Sequence, residues 1–318
     1  MNAACFHKGI HLSESDLCEE NIHCPICQST NRSIVTYLQK QPDIILKQCN
    51  NCFAVSASRI PTKSALNSYY NSYYQSNDEK ITFDDPVRFV SHLYNQTHDH
   101  LTKKGTLTIL DYGGGIGTIS IEMAKIYQNS GIQEVRVTIV DYDQSKINCD
   151  YPGLTICKYS TLSEVKDQKF DIIIASAIVE HLPTPRIEIN CLLELLNEYG
   201  LVYFRTPYIM PILLLLKKLR INFDFTYPAH IHDLGQEFWD SLLRILNLTD
   251  DFEILISKPS IVETSFSKHF GRTLIAYLLK APWYVLGNRW NFVGGWEILI
   301  QKRISKTPVD NPEGIHDG

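Results

Sequence analysis

Four cysteines stand in two pairs, Cys24-Pro-Ile-Cys27 and Cys49-Asn-Asn-Cys52, with about 21 residues between the pairs. This is zinc-ribbon spacing: four thiolates close a tetrahedron around a d¹⁰ ion and leave no open position for catalysis. The expectation is a structural Zn²⁺ on Cys24, Cys27, Cys49 and Cys52, with buried reduced thiols as the plainer alternative. Cys5, Cys18, Cys149, Cys157 and Cys191 lack metal spacing and read as ordinary core or surface residues, and His23 as a neighbour of the site or an exposed side chain.

A second group could hold a ligand. In ILDYGGGIGTIS an aspartate, Asp111, ends an apolar run, and Gly113, Gly115 and Gly117 follow where the chain turns into a helix. Glycine is needed there because the backbone turns sharply and a ligand must approach where a Cβ would stand. Nicotinamide-binding folds also place glycines at this turn, but their G-x-G-x-x-G frame, started at Gly113, ends on Thr118. The next apolar run ends in Asp141, 24 residues past Gly117, where a carboxylate can accept both hydroxyls of a ribose. A surface aspartate at a strand end is the plainer reading of Asp141.

The elements that must position these groups follow from periodicity. TLTILDYG reads as a strand, IGTISIEMAKIYQNSG as a helix closed by glycine, and VRVTIVD, LTICKYS, FDIIIAS and LVYFRTP as further strands, with RIEINCLLELLNEYG helical between the last two. Continuous apolar strands alternating with helices indicate a parallel sheet covered on both faces. FEILISKP and WEILIQKRI flank a helical insertion and read as a closing antiparallel hairpin. The expected architecture is a doubly wound, Rossmann-like α/β sheet with that hairpin, preceded by a small four-cysteine ribbon. The expected boundaries are a loose tail over 1–20, the ribbon over 21–60, a helical connector over 61–104, the catalytic domain over 105–303 with lid insertions at 208–235 and 262–293, and a disordered tail over 304–318.

Composition agrees with a globular chain: 318 residues, 44% hydrophobic and 20% charged. A net charge of −5 disfavours a broad nucleic-acid footprint. No apolar run approaches the roughly 20 residues needed to cross a bilayer, and the first residues, MNAACFHKGIHLSESDLC, lack the apolar core of an export signal. The expectation is a cytoplasmic protein.

The Asp-x-Gly-x-Gly-x-Gly loop and the acidic residue after the second strand resemble those of class I S-adenosylmethionine-dependent methyltransferases. That resemblance implies that Asp111, Gly113, Gly115 and Gly117 hold the methionine part of S-adenosylmethionine and that Asp141 binds its ribose. FDIIIASAIVEHLPTP resembles the family's fourth strand and the Glu-His-Leu segment after it, which implies Glu180 and His181 over the sulfonium side. A helix-start pair turned to solvent is the plainer reading of those two. CPIC, followed by CNNCFAVSASRIPTKSALNSYYNSYY, is similar to the zinc-ribbon start of a subgroup rich in sugar-modifying methyltransferases. Together the two resemblances run from Cys24 to Arg303.

Methyl transfer from a sulfonium is an in-line displacement, and a hydroxyl or acidic-carbon nucleophile must also lose a proton. FDFTYPAHIHDLG lies just after the fifth strand, where such a fold places a lid, and Tyr227, His230 and His232 are its titratable groups. The subgroup's sugar C-methyltransferases carry Phe-Asp-x-x-Tyr-x-Glu-His here, with Tyr, Glu and His serving proton transfer. This sequence matches at Phe223, Asp224, Tyr227 and His230 and departs at Ala229, where the glutamate is missing. A histidine base, with an ordinary pKa of about 6.5, suits a hydroxyl better than carbon. Catalytic roles are therefore expected for His230, Tyr227 and His181. A capping histidine before GQEFWDSLL is the plainer reading of His230.

Two apolar stretches, PILLLLKKLR and TLIAYLLKAPWYVLG, read as core or lid helices, or as an interfacial pair that docks on lipid. Tyr69, Tyr70, Tyr73 and Tyr74 could stack on a sugar or base, or pack the connector onto the main domain. The expected activity is methyl transfer to a small or carbohydrate-type acceptor, nucleotide- or lipid-linked, on oxygen, with sugar C-methylation as the alternative. A nicotinamide-dependent oxidoreductase and a non-catalytic zinc-ribbon binding protein are the rivals.

Overall fold

The computed structural model describes residues 11–75, 83, 85–101, 105–147, 149–221 and 225–304. Phe223 and Asp224, the first ten residues with Cys5, and the segment 305–318 lie outside the described residues, as do the side chains of Tyr73 and Tyr74.

The chain begins with strands β1 (Arg32–Lys40), β2 (Asp43–Cys49) and β3 (Val55–Ala57), followed by helices α1 (Lys63–Gln75) and α2 (Pro86–Thr97). Then come β4 (Thr106–Tyr112), α3 (Thr118–Asn129), β5 (Glu134–Val140), β6 (Leu154–Tyr159), β7 (Phe170–Ser176), α4 (Pro185–Glu194) and β8 (Leu196–Tyr208). Helix α5 (Met210–Lys218), the short strand β9 (His232–Asp233) and α6 (Gln236–Leu246) lead to β10 (Phe252–Pro259), α7 (Phe266–Lys280), α8 (Trp283–Leu286) and β11 (Gly294–Lys302).

Seven strands form one sheet in the order β10-β11-β8-β7-β4-β5-β6. Neighbours from β8 to β6 are parallel, and β11 runs antiparallel to both β8 and β10. This is the expected doubly wound sheet with its antiparallel hairpin. Alternate residues feed two cores. Leu107, Ile109, Val137, Ile139, Ile172 and Ile174 pack with Met123 and Ala124 of α3 and with Phe89 and Leu93 of α2. Leu110, Val140, Ile173, Ala175, Val202 and Phe204 pack instead with α4 and α6. Apolar residues at consecutive positions are required because both faces are covered. Strand order reverses between β4 and β7, so their carboxyl ends open the crevice where such sheets bind ligands.

The N-terminal module differs from the separate ribbon expected over 21–60. Its sheet has four strands, β1-β2-β3-β9, and the last comes from the segment after α5. Cys24, Ile26, Cys49, Cys52 and Ala54 belong to the same core as Phe170, Val202 and Trp239. Residues 11–20, expected in the loose tail, are packed as well. Leu12 and Leu17 are buried against β2, β3 and α5, and Arg59 forms an ion pair with Glu14 at 2.6 Å. Composition favoured a tail there because only two apolar residues in that stretch supply its anchorage.

Candidate active site

The crevice is built first by the glycine loop after β4. Gly113, Gly115 and Gly117 have φ of 76°, 59° and 76°, the left-handed region that side chains disfavour. A Cβ on Gly117 would stand 2.2 Å from Ile139 Cδ1, and one on Gly114 would stand 2.2 Å from the Asp111 carboxyl carbon. At Gly115 a Cβ would meet nothing within 4 Å, so the loop's middle faces open space.

Asp111 is buried beneath the loop and its carboxylate accepts the Ser120 hydroxyl at 2.6 Å, which ties the end of β4 to the first turn of α3. Burial pushes its carboxyl up to about 6, against the Ser120 bond. Asp111 thus braces from beneath the backbone of the loop expected to hold the methionine part. Asp141, after β5, accepts N–H groups from Gly115 and Asp143, each at 2.7 Å, and is half-buried at the loop's rim. Each carboxylate oxygen has a second lone pair, so ribose hydroxyls can be accepted as well.

The end of β7 carries the second group. Ala177 has φ of 56°, and the turn that follows places Ile178 against Gly113, 2.9 Å from where a Cβ would be. Backbone in this region is uncommon for non-glycine residues and is worth reading as a functional constraint. The turn presents Glu180 and His181. Glu180 is completely buried and, among the described residues, neither carboxyl oxygen has a hydrogen-bond partner. Burial pushes its carboxyl up to about 8, with its own backbone N–H and then Arg205 pulling the other way. His181 Nδ1 donates to the Ala229 carbonyl at 2.8 Å, lies 3.3 Å from the Tyr70 hydroxyl, and its Nε2 is 3.8 Å from Glu180.

The segment 225–233 closes over this turn. The Ile231 N–H donates to the Glu180 carbonyl at 2.9 Å, and the Ala57 N–H donates to the Ile231 carbonyl at 2.9 Å. His230 packs edge-on against His181 with ring centres 4.8 Å apart. Its Nδ1 lies 2.7 Å from Thr226 Oγ1, and that hydroxyl donates to the Phe225 carbonyl at 2.5 Å. The hydroxyl proton being used, His230 donates from Nδ1 and carries its lone pair at Nε2. One ligand atom from each of Glu180, His181 and His230 lies within 4.8 Å of the others. His181 and His230, expected as catalytic groups, and Glu180, expected at the cofactor, are thus brought together.

Tyr227 is not brought to this cluster. Its hydroxyl donates to the Arg59 carbonyl at 3.0 Å, inside the core shared by β2, β3 and α5. Burial pushes that hydroxyl's pKa up, so it stays protonated. His232 is buried too: Nε2 donates to the Leu182 carbonyl and Nδ1 accepts the Ser56 hydroxyl, both at 2.9 Å. Burial holds its imidazole down at about 4, hence neutral.

Arg205 was missed by sequence reading. It is buried in β8, bonds Ser176 at 2.9 Å, pairs with Glu263 of the β10–β11 insertion, and its carbon Cζ lies 4.7 Å from the centre of the Phe83 ring. The signal was present, since a charge inside the buried strand LVYFRTP needs a partner. Tyr70 was read only as part of a cluster, and it is the member that reaches His181.

At the other end, the four cysteine sulfurs lie within 4.8 Å of one another, and none is in a disulfide. Each pair forms a matching knuckle: the residue after it, Gln28 or Phe53, has φ near 60° (61° and 62°) and donates its N–H back to Cys24 or Cys49. The Arg32 side chain donates to the carbonyls of Asn21, His23 and Ser56 beside the thiols.

Over residues 83–250, more than half of the chain, the sequence matches a family model described as a methyltransferase domain. It is 29% identical over 140 residues to the ubiquinone biosynthesis O-methyltransferase of Pasteurella multocida (strain Pm70), covering 38% of this chain and 53% of that protein. The chain thus spans about half the length of the curated relative it matches. Among solved structures it is similar to the plantazolicin methyltransferase BpumL with S-adenosylhomocysteine, at 16% identity and a TM-score of 0.44, covering 76% of this chain and 91% of that one. It is also similar to coclaurine N-methyltransferase, at 15% identity and a TM-score of 0.40, covering 68% and 70%.

Proposed function

The chain belongs to the methyltransferase-domain family, and from that premise we propose that it transfers a methyl group from S-adenosylmethionine to a hydroxyl of a small or carbohydrate-type acceptor, nucleotide- or lipid-linked. The observation that carries the cofactor reading is the glycine loop, with Asp141 at its rim and open space before Gly115. When bound, S-adenosylmethionine supplies a methyl group on a sulfonium that departs as a neutral thioether. The chain's own groups do the rest. Gly113, Gly115, Gly117 and Asp141 hold and orient it, and His230, with its lone pair at Nε2, takes the acceptor's proton as the oxygen–methyl bond forms. His181 is fixed beside it by the Ala229 carbonyl.

Oxygen is favoured as the methylated atom by the relative's name, an O-methyltransferase. A second reading, methylation at carbon, is favoured by one observation: Glu180 restores a carboxylate next to the histidines. NMR of the product decides between them, because O-methyl and C-methyl protons resonate in separate regions. In the same reading Cys24, Cys27, Cys49 and Cys52 would hold a structural Zn²⁺, and the apolar outer helices would touch a membrane surface from the cytoplasmic side.

Calorimetric titration with S-adenosylhomocysteine and, separately, NAD tests the core of the proposal. Asp141→Ala removes hydrogen bonds to a charged acceptor worth about 1.5–3 kcal/mol each, so affinity for S-adenosylhomocysteine should drop at least about tenfold. Binding of NAD alone would replace the proposal with the oxidoreductase reading. His230→Ala should lower turnover by about 10²–10⁴-fold at nearly unchanged cofactor affinity. Unchanged turnover would leave this segment as a lid without a base.

A further inference from the structure

We propose that Glu180, His181 and His230 form a second metal site, distinct from the cysteine quartet, that takes a divalent first-row transition ion at the acceptor end of the crevice. Three independent features point there. The first is the Glu180 carboxyl, completely buried, with neither oxygen hydrogen-bonded by another residue among those described and only its own backbone N–H close by. Native proteins rarely leave a buried polar group in that condition, and an ion bound there is one of the few explanations.

The second is the tautomer of the two imidazoles. His181 donates from Nδ1 to the Ala229 carbonyl, which can only accept, and His230 donates from Nδ1 to Thr226 Oγ1, whose own proton goes to the Phe225 carbonyl. Both rings therefore direct their lone pairs from Nε2. An Nδ1–H bonded to a carbonyl or hydroxyl behind the ring is how proteins fix histidines that ligate metals. The third is spacing. His181 Nε2 and Glu180 Oε1 are 3.8 Å apart, and all three ligand atoms lie within 4.8 Å of one another. Ion–ligand bonds of roughly 2.0–2.2 Å separate adjacent ligands by roughly 3–3.5 Å, so contraction by about 1 Å through side-chain rotation closes the set.

Two imidazoles and one carboxylate exclude a preference for Mg²⁺ or Ca²⁺, which favour all-oxygen shells, and suit Fe²⁺, Co²⁺, Ni²⁺ or Zn²⁺. Three protein ligands leave positions open, in contrast to the closed thiolate tetrahedron. The inference rests on the methyl-transfer reading only in naming what fills them: an acceptor with oxygen donors, whose hydroxyl the ion's charge would help to ionise, its proton leaving to solvent, so that with the ion bound the His230 lone pair is held by the metal and the ion takes over the work given above to the histidine base. Ion binding itself is independent of that reading.

The test uses the whole chain loaded with zinc at the cysteine quartet, to which Co²⁺ is added. Visible absorption should show ligand-field bands of a nitrogen- and oxygen-bound Co²⁺ without thiolate charge transfer, saturating at one ion per chain. Glu180→Gln should weaken Co²⁺ binding by more than about tenfold, and Thr226→Val, which removes only the partner behind His230, by about 10–100-fold. S-adenosylhomocysteine titration of each variant establishes that it is folded. Absence of a cobalt site in protein that binds S-adenosylhomocysteine overturns the inference and leaves the methyl-transfer reading standing. Cobalt binding unchanged in Glu180→Gln overturns it too, and a shifted preference between S-adenosylmethionine and S-adenosylhomocysteine in that variant would assign the carboxyl to the sulfonium instead. Cobalt binding without S-adenosylhomocysteine binding keeps the ion site and removes the methyl-transfer reading.

Discussion

Asp233 shows how a single buried carboxyl couples this fold to pH. It lies in β9, and its Oδ2 accepts the N–H groups of Ile209 and Met210 at 2.7 and 3.2 Å, so it caps α5 from another element. Burial pushes its carboxyl up to about 7, against those two bonds. The folded protein therefore keeps a proton at pH values where the unfolded chain has released it. Stability from this group is complete below the unfolded pKa of 3.8 and is lost as pH rises through about 7. Asp233→Asn keeps the acceptor and removes the titration, so its melting temperature should fall less than the parent's over that window. Equal slopes would assign the pH dependence to other groups. Residues of this kind were not legible in the sequence. Asp141 was, because a strand, a glycine turn and a helix fix its position within 24 residues of Gly117. Glu180 and His230 meet only through folding, and Tyr227 was misread because its partner, Arg59, is 168 residues away.

At the scale of elements, the loop between β4 and α3 has little tolerance. Gly117→Ala would put a methyl group 2.2 Å from Ile139 Cδ1 at a φ of +76°, combining a clash with backbone strain. The expected outcome is a loss of about 1–3 kcal/mol in stability together with weaker S-adenosylhomocysteine binding, read by thermal denaturation and calorimetry. An unchanged melting temperature would mean that the loop relaxes freely. Helix α7 has the opposite character. It exposes Phe270, Ile275 and Leu278 at 64%, 56% and 62%, next to the exposed cations Lys268 and Arg272. No helix among the described residues is long and apolar enough to cross a membrane. The parent should co-sediment with anionic vesicles more than a Phe270→Asp, Leu278→Asp variant does, and equal sedimentation would remove lipid as this helix's partner. Strands and helices of the main sheet were legible because burial on both faces writes continuous apolar runs. The two-residue β9 was not, since it has too little sequence to show a period.

For the molecule as a whole, the cysteine quartet and the segment 225–233 belong to one structure. The cysteine knuckles share a core with Phe170 and Trp239, Arg186 of α4 donates to the Ile26 carbonyl at 2.9 Å, and β9 extends the N-terminal sheet. Cys49→Ser, or chelation, should therefore lower the melting temperature of the entire protein in one transition and release one zinc per chain. A separate early transition would mean that the ribbon unfolds alone. Elemental analysis without zinc, and indifference to chelator, would leave the four thiols as packing residues.

The pairing of β9 with β3 also bears on how the segment 225–233 could be exchanged by recombination. A segment exchanged between relatives carries its hydrogen-bond partners with it only if both strands come from the same parent. Swapping residues 225–233 alone would set a foreign strand against Val55 and Ser56 and separate His232 from the Ser56 hydroxyl. A chimera that also takes residues 11–62 from the donor keeps that seam intact. The exchangeable unit is then two pieces of chain, some 160 residues apart, that travel together or not at all.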